Sequence, residues 1–311
     1  MRTAFVETLC QLAESDERIW LLTGDLGYSV LERFASRFPK RYVNVGVAEQ
    51  NMTGIAAGLA LCGKTVFTYS IANFPTFRCL EQIRNDVGYH GANVKIVAVG
   101  GGLAYGAQGY THYAVEDLAA MRAMPNMVVV APGDPVETRL ATRAIAAHAG
   151  PCYLRLGKAG EPVVHRSEPA FQLGRALLVR PGTDATLVST GGVLRQVVDA
   201  AEMLSEQGIS VRVVSMPTVQ PLDESAICQA AGETGLVCVV EEHHRVGGLS
   251  DAVARCLAGS PACRIRFLTL DTGALIADHA VGSQTYLTAR FGLSAVSIRD
   301  KVAGWIREAR P

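Results

Sequence analysis

The feature that most constrains the fold is a regular alternation of short apolar runs with longer stretches of helical periodicity. Five runs in the first half are rich in Val, Ile, Leu and Tyr and have the length of strands; they begin near Ile19, Lys64, Val94, Met127 and Cys152. The stretches that separate them are long enough to contain helices. Strands that alternate with helices predict a mostly parallel sheet with helices on both of its faces.

The same alternation resumes in the second half of the chain, with apolar runs such as ATLVST, VRVVSM and LVCVVEE. Between the halves, residues 158–173 contain Pro, Gly and His without a clear period, which is typical of a domain boundary. We therefore predict an α/β protein with two open α/β domains, residues 1–165 and residues 174–311.

Composition excludes several classes of function. Lys plus Arg and Asp plus Glu both number 29, so no basic surplus attracts nucleic acid or an anionic membrane. The eight cysteines show neither a C-x-x-C pair nor the spacing of zinc ligands, which predicts reduced thiols. Residues 1–15 have the pattern of an amphipathic helix rather than a signal peptide, and no segment has the length of a membrane span. We expect a cytoplasmic protein.

Glu49 is the first candidate for chemistry. The alternating residues Tyr42, Val43 and Val45 predict a strand that ends at Gly46, and a helix of small residues follows Glu49. A carboxylate at the carboxyl end of a strand lies where open α/β sheets bind ligands. Acids are also common at helix N-termini for electrostatic reasons alone, so the position admits a purely structural interpretation. The apolar residues around it favour the functional one, in which the acid shares a proton with a ring nitrogen.

A long glycine-rich loop, residues 100–113, is the second candidate. It follows an apolar strand and contains Gln108 and His112. Compact domains rarely keep such loops unless they are functional. The glycines do not form a dinucleotide-binding turn, because no G-x-G-x-x-G opens directly into a helix. A lone histidine is more often a surface or structural residue, but its place on a loop at the carboxyl end of a strand makes His112 a candidate for function.

The third candidate is the sequence SIANFPTFRCL, residues 70–80. Phe74 and Phe77 flank a proline at the top of a strand, where core aromatics are the ordinary explanation. The alternative is a surface on which a flat heteroaromatic ring stacks, with Arg78 nearby as a charged donor. The pair His243-His244 is interpreted as part of a structural strand-to-helix turn, because adjacent histidines point apart and lack a third ligand.

Taken together these stretches resemble the thiamine-diphosphate-dependent transketolase family, in its pyrimidine-binding and C-terminal domains. The resemblance lies in GVAEQNM (46–52), GAQGYTHYAVEDLAAMRAMPNM (106–127), VVAPGDPVE (129–137), PCYLRLGK (151–158) and VVEEHHRVGGL (239–249), which occur in the family's order. No single motif decides the assignment, but the ordered set is specific and covers nearly the whole chain. It implies a thiamine-diphosphate-binding fold followed by a transketolase C-terminal-domain fold.

The resemblance implies roles for four residues around the cofactor. Glu49 matches the glutamate that hydrogen-bonds N1′ of the aminopyrimidine of thiamine diphosphate and favours the tautomer that activates the cofactor. Phe74, or alternatively Phe77, matches the aromatic residue that stacks on the pyrimidine. Asp25, in the GDLG turn, matches a carboxylate near the cofactor.

On the substrate side, the resemblance implies that His112 contacts hydroxyl or carbonyl oxygens and that Arg78 lies near the substrate. Arg2 and Arg155 match arginines that bind its distal phosphate. Gln108 replaces an aspartate that reads the stereochemistry of sugar hydroxyls, and Gly100 replaces a phosphate-binding histidine. These two departures predict an unusual sugar, or a substrate smaller than a pentose phosphate.

The family holds the diphosphate and Mg²⁺ with a G-D-G motif and a downstream Asn, and no G-D-G occurs in this sequence. The chain is therefore expected to be one subunit of a split transketolase. A partner subunit corresponding to the N-terminal half would supply the diphosphate and Mg²⁺ site, in an α2β2 heterotetramer. Such an enzyme transfers a two-carbon ketol unit from a ketose, phosphorylated or not, to an aldose.

Three alternatives remain open. The beta subunit of a 2-oxo acid dehydrogenase has the same two domains, but the loop GYTHYAVED fits transketolase better. Deoxyxylulose-phosphate synthases join pyruvate to an aldehyde and normally carry all their domains on one chain. A non-catalytic scaffold is disfavoured by the presence of Glu49 and His112 together.

Overall fold

The computed structural model describes residues 1–259 and 263–309 of the chain, and they form two sheets. The first half contributes six strands: β1 Ile19–Thr23, β2 Tyr42–Asn44, β3 Thr65–Ile71, β4 Val94–Val99, β5 Val128–Val130 and β6 Cys152–Leu156. Its helices are α1 Arg2–Ser15, α2 Glu32–Arg37, α3 Glu49–Leu61, α4 Asn73–Phe77, α5 Leu80–Gln82, α6 Asp117–Arg122 and α7 Pro135–Ala147, and a π-helical segment spans Ile83–Tyr89.

The second half contributes the strands β7 Leu177–Arg180, β8 Ala185–Thr190, β9 Val211–Ser215, β10 Thr218–Gln220, β11 Leu236–His244 and β12 Arg264–Leu270. Its helices are α8 Leu194–Glu206, α9 Glu224–Thr234, α10 Leu249–Leu257, α11 Thr272–Asp278, α12 Gln284–Arg290 and α13 Ala295–Ala309. No helix in the described ranges is both long and apolar enough to cross a membrane.

The first sheet has the strand order β10-β5-β6-β4-β3-β1-β2 and is parallel except for β10. The second has the order β12-β11-β8-β9-β7 and is parallel except for β7. The predicted architecture of two mostly parallel sheets is therefore confirmed. One strand lies where the sequence did not predict it: β10 belongs to the second half of the chain but pairs antiparallel with β5 at the edge of the first sheet.

Three buried clusters of the described residues fill the spaces around the sheets. One packs α1 and α7 against the first sheet, with Phe5 and Ile145 among its members. Another covers the opposite face, from Met52 of α3, and continues without a break to Val239 of the second sheet. The third lies beneath α8 and α13. Because one cluster is shared between the halves, the two sheets hold each other in place.

The segment between the halves is anchored to the start of α7. Asp134 caps that helix, since one carboxylate oxygen accepts from the amide of Glu137 at 2.7 Å, while the other accepts from the amides of Val164 and His165. The His165 ring nitrogen Nε2 lies 2.7 Å from Glu137 Oε1, and both side chains are buried. Burial lowers the pKa of His165, but its hydrogen bond to Glu137 and the charges of Glu137 and Asp134 outweigh burial and raise that pKa above its ordinary value.

Candidate active site

The carboxyl ends of four neighbouring strands converge on one edge of the first sheet. Asp25 follows β1, Glu49 follows β2, Phe74 follows β3 and the glycine-rich loop follows β4. β2 and β3 lie on opposite sides of β1, so the direction in which the chain builds the sheet reverses there. Crevices at such reversals bind ligands in open α/β proteins. Asp25, Glu49, Phe74 and the loop that carries His112 therefore lie at a point of the sheet that suits a ligand.

Glu49 begins α3 with a carboxylate that is only 4% exposed. Its Oε2 accepts a hydrogen bond from Nη1 of Arg78 at 3.1 Å, and this is the one ion pair of Glu49 within the described residues. Oε1 has no hydrogen-bond partner among those residues. A buried carboxylate that is paired on one side and free on the other can bind a further donor, which an ordinary surface acid at a helix start does not do.

Arg78, Phe74 and His112 continue from Glu49 as a contiguous set. The Arg78 guanidinium carbon lies 4.0 Å from the centroid of the Phe74 ring, within cation–π distance. The Phe74 ring in turn meets the His112 ring edge to face, with centroids 5.3 Å apart. Phe77 takes part in neither of these ring contacts and is 38% exposed. The structure thus joins residues that the sequence placed in separate motifs.

Asp25 lies in a turn directly beside Glu49. A Cβ on Gly24 would lie 3.5 Å from Cγ of Glu49, which is van der Waals contact, so this turn packs against the acid. The Asp25 carboxylate accepts hydrogen bonds from Nδ2 of Asn44 at 2.9 Å and from the hydroxyl of Tyr28 at 3.1 Å. These contacts fix an exposed turn whose backbone at Asp25 is left-handed, with φ of 57°.

The loop that carries His112 is anchored to the second half of the chain. Glu242 of β11 is buried, and its Oε1 accepts from the backbone amide of Leu103 at 3.0 Å. Burial is the main cause that raises the pKa of Glu242, and Nε2 of Gln284 donates to both carboxylate oxygens. The hydroxyl of Tyr113 donates to the carbonyl of Ala280 at 2.9 Å. The second half of the chain therefore helps to set the position of His112.

The surroundings of His112 are polar, and a cation from outside the loop lies close to them. Thr111 Oγ1 lies 3.0 Å from Nδ1 of His112, and the Tyr105 ring centroid lies 6.3 Å from that of His112. Lys158 Nζ stands 4.9 Å from the centroid of Tyr105. Gln108 is exposed at the tip of the loop. His112 is therefore close to a hydroxyl group, and Lys158 contributes a positive charge on the Tyr105 side.

The two arginines expected at the substrate differ in their surroundings. Arg2 has a buried Nε with no hydrogen-bond partner in the described ranges, and its charge acts on the half-buried phenol of Tyr105. Arg155 is buried and already well bonded: Nε donates to Oδ2 of Asp117 at 2.9 Å, and Nη2 donates to the carbonyls of Ala114 and Glu242 at 2.8 and 2.9 Å. The Nε of Arg2 therefore remains without a partner in the described ranges, whereas Arg155 is largely used by the fold.

Sequence reasoning missed Asp117 and Glu242, because each acts through partners 36 or more residues away. The motif containing Glu242 was interpreted as a structural turn, and its neighbours do behave in that way. Glu241 accepts from the amides of Leu249 and Ser250 at the start of α10. Buried His243 accepts from the amide of Ala119 at 3.3 Å through Nε2.

Comparison with known proteins connects this geometry to a family. Residues 1–160 match the domain family "Transketolase, pyrimidine binding domain". Residues 174–298 match the family "Transketolase, C-terminal domain". The chain belongs to the transketolase family.

Relatives of this transketolase-family chain include separate subunits of known transketolases. It is 41% identical over 262 residues to one subunit of the apulose-4-phosphate transketolase of Phocaeicola vulgatus, covering 84% of each chain. It is 38% identical over 299 residues to the 6-deoxy-6-sulfo-D-fructose transketolase subunit SqwH of a Clostridium species, covering 96% of this chain and 92% of that one. A solved structure described as a split gene transketolase, inactive beta4 tetramer, superposes with a TM-score of 0.88 at 35% identity, over 99% of this chain and 98% of that one.

Proposed function

We propose that this chain is the subunit of a split, thiamine-diphosphate-dependent transketolase that carries the catalytic glutamate. In this proposal the enzyme moves a two-carbon ketol unit from a ketose donor to an aldose acceptor. The observation that carries the proposal is the buried Glu49 carboxylate, which has one oxygen paired with Arg78 and the other free. Membership of the transketolase family supplies the cofactor and the type of reaction.

The residues present fit the pyrimidine end of thiamine diphosphate. A free carboxylate oxygen of Glu49 is the acceptor or proton donor that a ring nitrogen needs. Phe74 and Phe77 lie on the short helix α4, and one face of Phe74 is already covered by Arg78. Either aromatic residue is a candidate to stack on the ring, and Phe77 has the more exposed side chain.

Thiamine diphosphate, when bound, supplies a nucleophilic carbon and an electron sink for breaking the C2–C3 bond of a ketose. In our proposal Glu49 holds and exchanges a proton at the ring nitrogen. Arg78 balances the charge of Glu49 and fixes the orientation of its carboxylate. His112 donates hydrogen bonds to substrate oxygens, and the loop that carries it limits the access of water.

A partner subunit is proposed to complete the site. Val47, next to the buried Glu49, is 75% exposed, and Tyr28 beside Asp25 is 72% exposed. Large apolar side chains exposed around a buried carboxylate are typical of a surface that another chain covers. The relatives described as subunits support such a partner. We propose that it carries the diphosphate and Mg²⁺ site, and that two copies of each subunit form an α2β2 heterotetramer.

The substrate is proposed to be a sugar with a terminal anionic group. Arg2 and Lys158 lie on the Tyr105 side of His112, where such a group would find positive charge. Two relatives carry names that specify a sugar phosphate and a sulfosugar, which supports this class. Gly100 and Gln108 stand where the usual phosphosugar pattern has a histidine and an aspartate. We therefore propose a donor other than a common pentose phosphate.

The test is reconstitution with the partner. The chain is co-expressed with a protein that carries the G-D-G motif and downstream Asn, and ketol transfer is measured with unmodified, phosphorylated and sulfonated ketoses. Glu49→Gln is expected to lower kcat by about 10²- to 10⁴-fold, the usual contribution of a positioned proton-transfer group. Glu81→Gln, which alters an exposed acid on α5, is the matched control and should change kcat by less than about twofold.

Several results would count against the proposal. A loss of less than about tenfold in Glu49→Gln would favour the scaffold interpretation. Turnover of pyruvate in place of a ketose would indicate a reaction of the 2-oxo acid dehydrogenase or deoxyxylulose-phosphate synthase type. Full activity of the purified chain alone would remove the need for a partner.

A further inference from the structure

Two cysteines face each other on the surface of the second half of the chain. Cys228 lies in α9 and Cys256 in α10, and their Sγ atoms are 3.8 Å apart. The Cys256 thiol also donates to the backbone carbonyl of Glu224 at 3.7 Å, so it lies over the first turn of α9. Cys228 is exposed and Cys256 is half-buried. The two thiols are therefore in contact, and at least one of them is open to solvent.

The other cysteines lack this arrangement. Four of them are buried: Cys10, Cys79, Cys152 and Cys238. Cys62 is exposed at the end of α3, and Cys263 is half-buried next to residues outside the described ranges. No other pair of cysteine sulfurs in the described part of the chain makes such a contact. Hydrophobic packing accounts for the four buried cysteines, and half-buried Cys256 also packs in part against the core. Packing does not require the contact between the Cys256 thiol and the exposed Cys228 thiol.

We propose that Cys228 and Cys256 form a reversible thiol–disulfide modification site. A disulfide requires the sulfurs to be about 2.05 Å apart, so they must approach by about 1.8 Å. We expect rotation about the side-chain bonds of the two residues, which lie on neighbouring helices, to supply most of this movement. The oxidant is a small disulfide of the glutathione type.

This oxidant accepts both electrons that the two thiols lose, so the thiol–disulfide exchange needs no other reactant. The Cys228 thiolate attacks one sulfur of the oxidant, whose S–S bond breaks and releases the first thiolate. Cys256 then loses its proton and attacks Sγ of Cys228, which releases the second thiolate. The protein loses two electrons and two protons, and the oxidant becomes two thiols.

The contrast in exposure sets the order of the two steps. Burial, followed by the neighbouring Cys228, raises the pKa of Cys256 to about 12, so this thiol is protonated at neutral pH and is the second to react. A cavity of about 540 Å³ gives access to it from the side of α6. Arg122 and Arg255 line that cavity with one acid, Glu224, and this charge favours an anionic oxidant such as glutathione disulfide.

The decisive measurement is chemical mapping on the wild-type chain and on Cys263→Ser, which needs no partner. The protein is incubated with glutathione disulfide, alkylated without reduction, and digested with trypsin and a Glu-specific protease, which separates Cys228 from Cys238 by cleavage after Glu233. A cross-linked pair containing Cys228 and Cys256 is expected. Because trypsin leaves Cys256 and Cys263 on one peptide, the same cross-link must also appear in Cys263→Ser.

A thermal measurement provides an independent readout. The bond closes a loop across 28 positions, so oxidation should raise Tm by about 5 °C, and dithiothreitol should reverse the change. Cys228→Ser and Cys256→Ser should lose the shift, whereas Cys62→Ser should keep it. Stable glutathionylation of Cys228 without a cross-link, a bond from Cys256 to Cys263, or intermolecular bonding through Cys62 would each overturn the proposal.

Discussion

At the scale of single residues, the site depends on buried charges that have few partners. Glu49 is almost completely buried, yet within the described residues its carboxylate pairs only with the half-exposed guanidinium of Arg78. The desolvation cost of that carboxylate is therefore offset by one ion pair rather than by a network. A change at Arg78 should therefore alter both the stability of the fold around Glu49 and the chemistry of the Glu49 carboxylate.

Arg78→Gln tests this dependence in the isolated chain. Removing the guanidinium leaves Glu49 buried without a cation, and we expect the free energy of unfolding to fall by about 1–3 kcal/mol. Urea unfolding followed by circular dichroism measures the change. Arg84→Gln, which alters an exposed residue in the π-helical segment, is the control and should change stability by less than about 0.5 kcal/mol. Equal stability of the two variants would contradict the role given to Arg78.

His165 predicts a dependence of stability on pH. Its pKa is raised in the folded state, so its interaction with Glu137 is fully present below the unfolded value near 6.5 and is lost as pH rises through the folded value. The stability advantage of the wild type over His165→Gln should be about 1–3 kcal/mol at low pH and decrease above neutrality.

Unfolding titrations of both proteins between about pH 5.5 and 8.5, a range that brackets the ordinary titration of histidine, measure this difference. His90→Gln, which alters an exposed histidine, should show no such trend. A difference that stays constant or grows with pH would mean that the ion pair does not control the stability of this segment.

At the scale of elements, the glycine-rich loop is positioned from both sides. Its first turn is held by Glu242 and its last residues by Tyr113, and both contacts lead to the second half of the chain. Gly102, with φ of 66°, comes so close to Glu242 that a Cβ would lie 2.6 Å from the carboxylate carbon. The loop is long, but its two ends are fixed, which restricts the positions available to His112.

Tyr113→Phe tests the anchoring. Loss of the hydroxyl removes hydrogen bonds to the carbonyls of Gly106 and Ala280, and we expect amides of residues 103–113 to exchange about five- to tenfold faster. Hydrogen–deuterium exchange with mass spectrometry measures this change. Tyr110→Phe, which removes a hydroxyl bonded to Glu116 within the same half, is the control. Unchanged exchange in Tyr113→Phe would show that the hydroxyl does not hold the loop.

At the scale of the whole molecule, a buried charge cluster joins the two halves. Arg155 of β6 bonds Asp117 of α6 and the carbonyl of Glu242 in β11, so one guanidinium connects both sheets. The same residue was expected at the distal phosphate of the substrate. The contacts of Arg155 stabilise the fold whether or not this residue also binds a substrate.

Arg155→Gln separates these roles. Leaving Asp117 buried without its cation should cost about 3–5 kcal/mol of unfolding free energy. Guanidinium chloride unfolding of the chain measures this cost, with Arg166→Gln, at an exposed position, as the control. A variant with unchanged stability and a raised KM in the reconstituted enzyme would mean that Arg155 serves only the substrate.

Features that depend on local pattern could be predicted well. Strands such as Val94–Val99 and the position of Glu49 follow from periodicity and from the rule that strand ends carry ligands. The pairing of Glu49 with Arg78 and the anchoring of Leu103 by Glu242 were not predicted, because they join residues 29 and 139 positions apart. The short strand β10 was missed for the same reason, since three residues show no period and find their partner only in the folded chain.

The edge strand β10 has a consequence for biosynthesis. When the ribosome has completed β5, the outer edge of that strand has no partner until Thr218–Gln220 emerge about 90 residues later. At ordinary elongation rates this interval lasts roughly 5–20 s, during which an open edge can pair with another nascent chain. If the two halves were encoded by separate genes, the edge of β5 would stay unpaired until the second chain bound. The pairing of β5 with β10 is therefore a reason for both halves to be encoded in one reading frame.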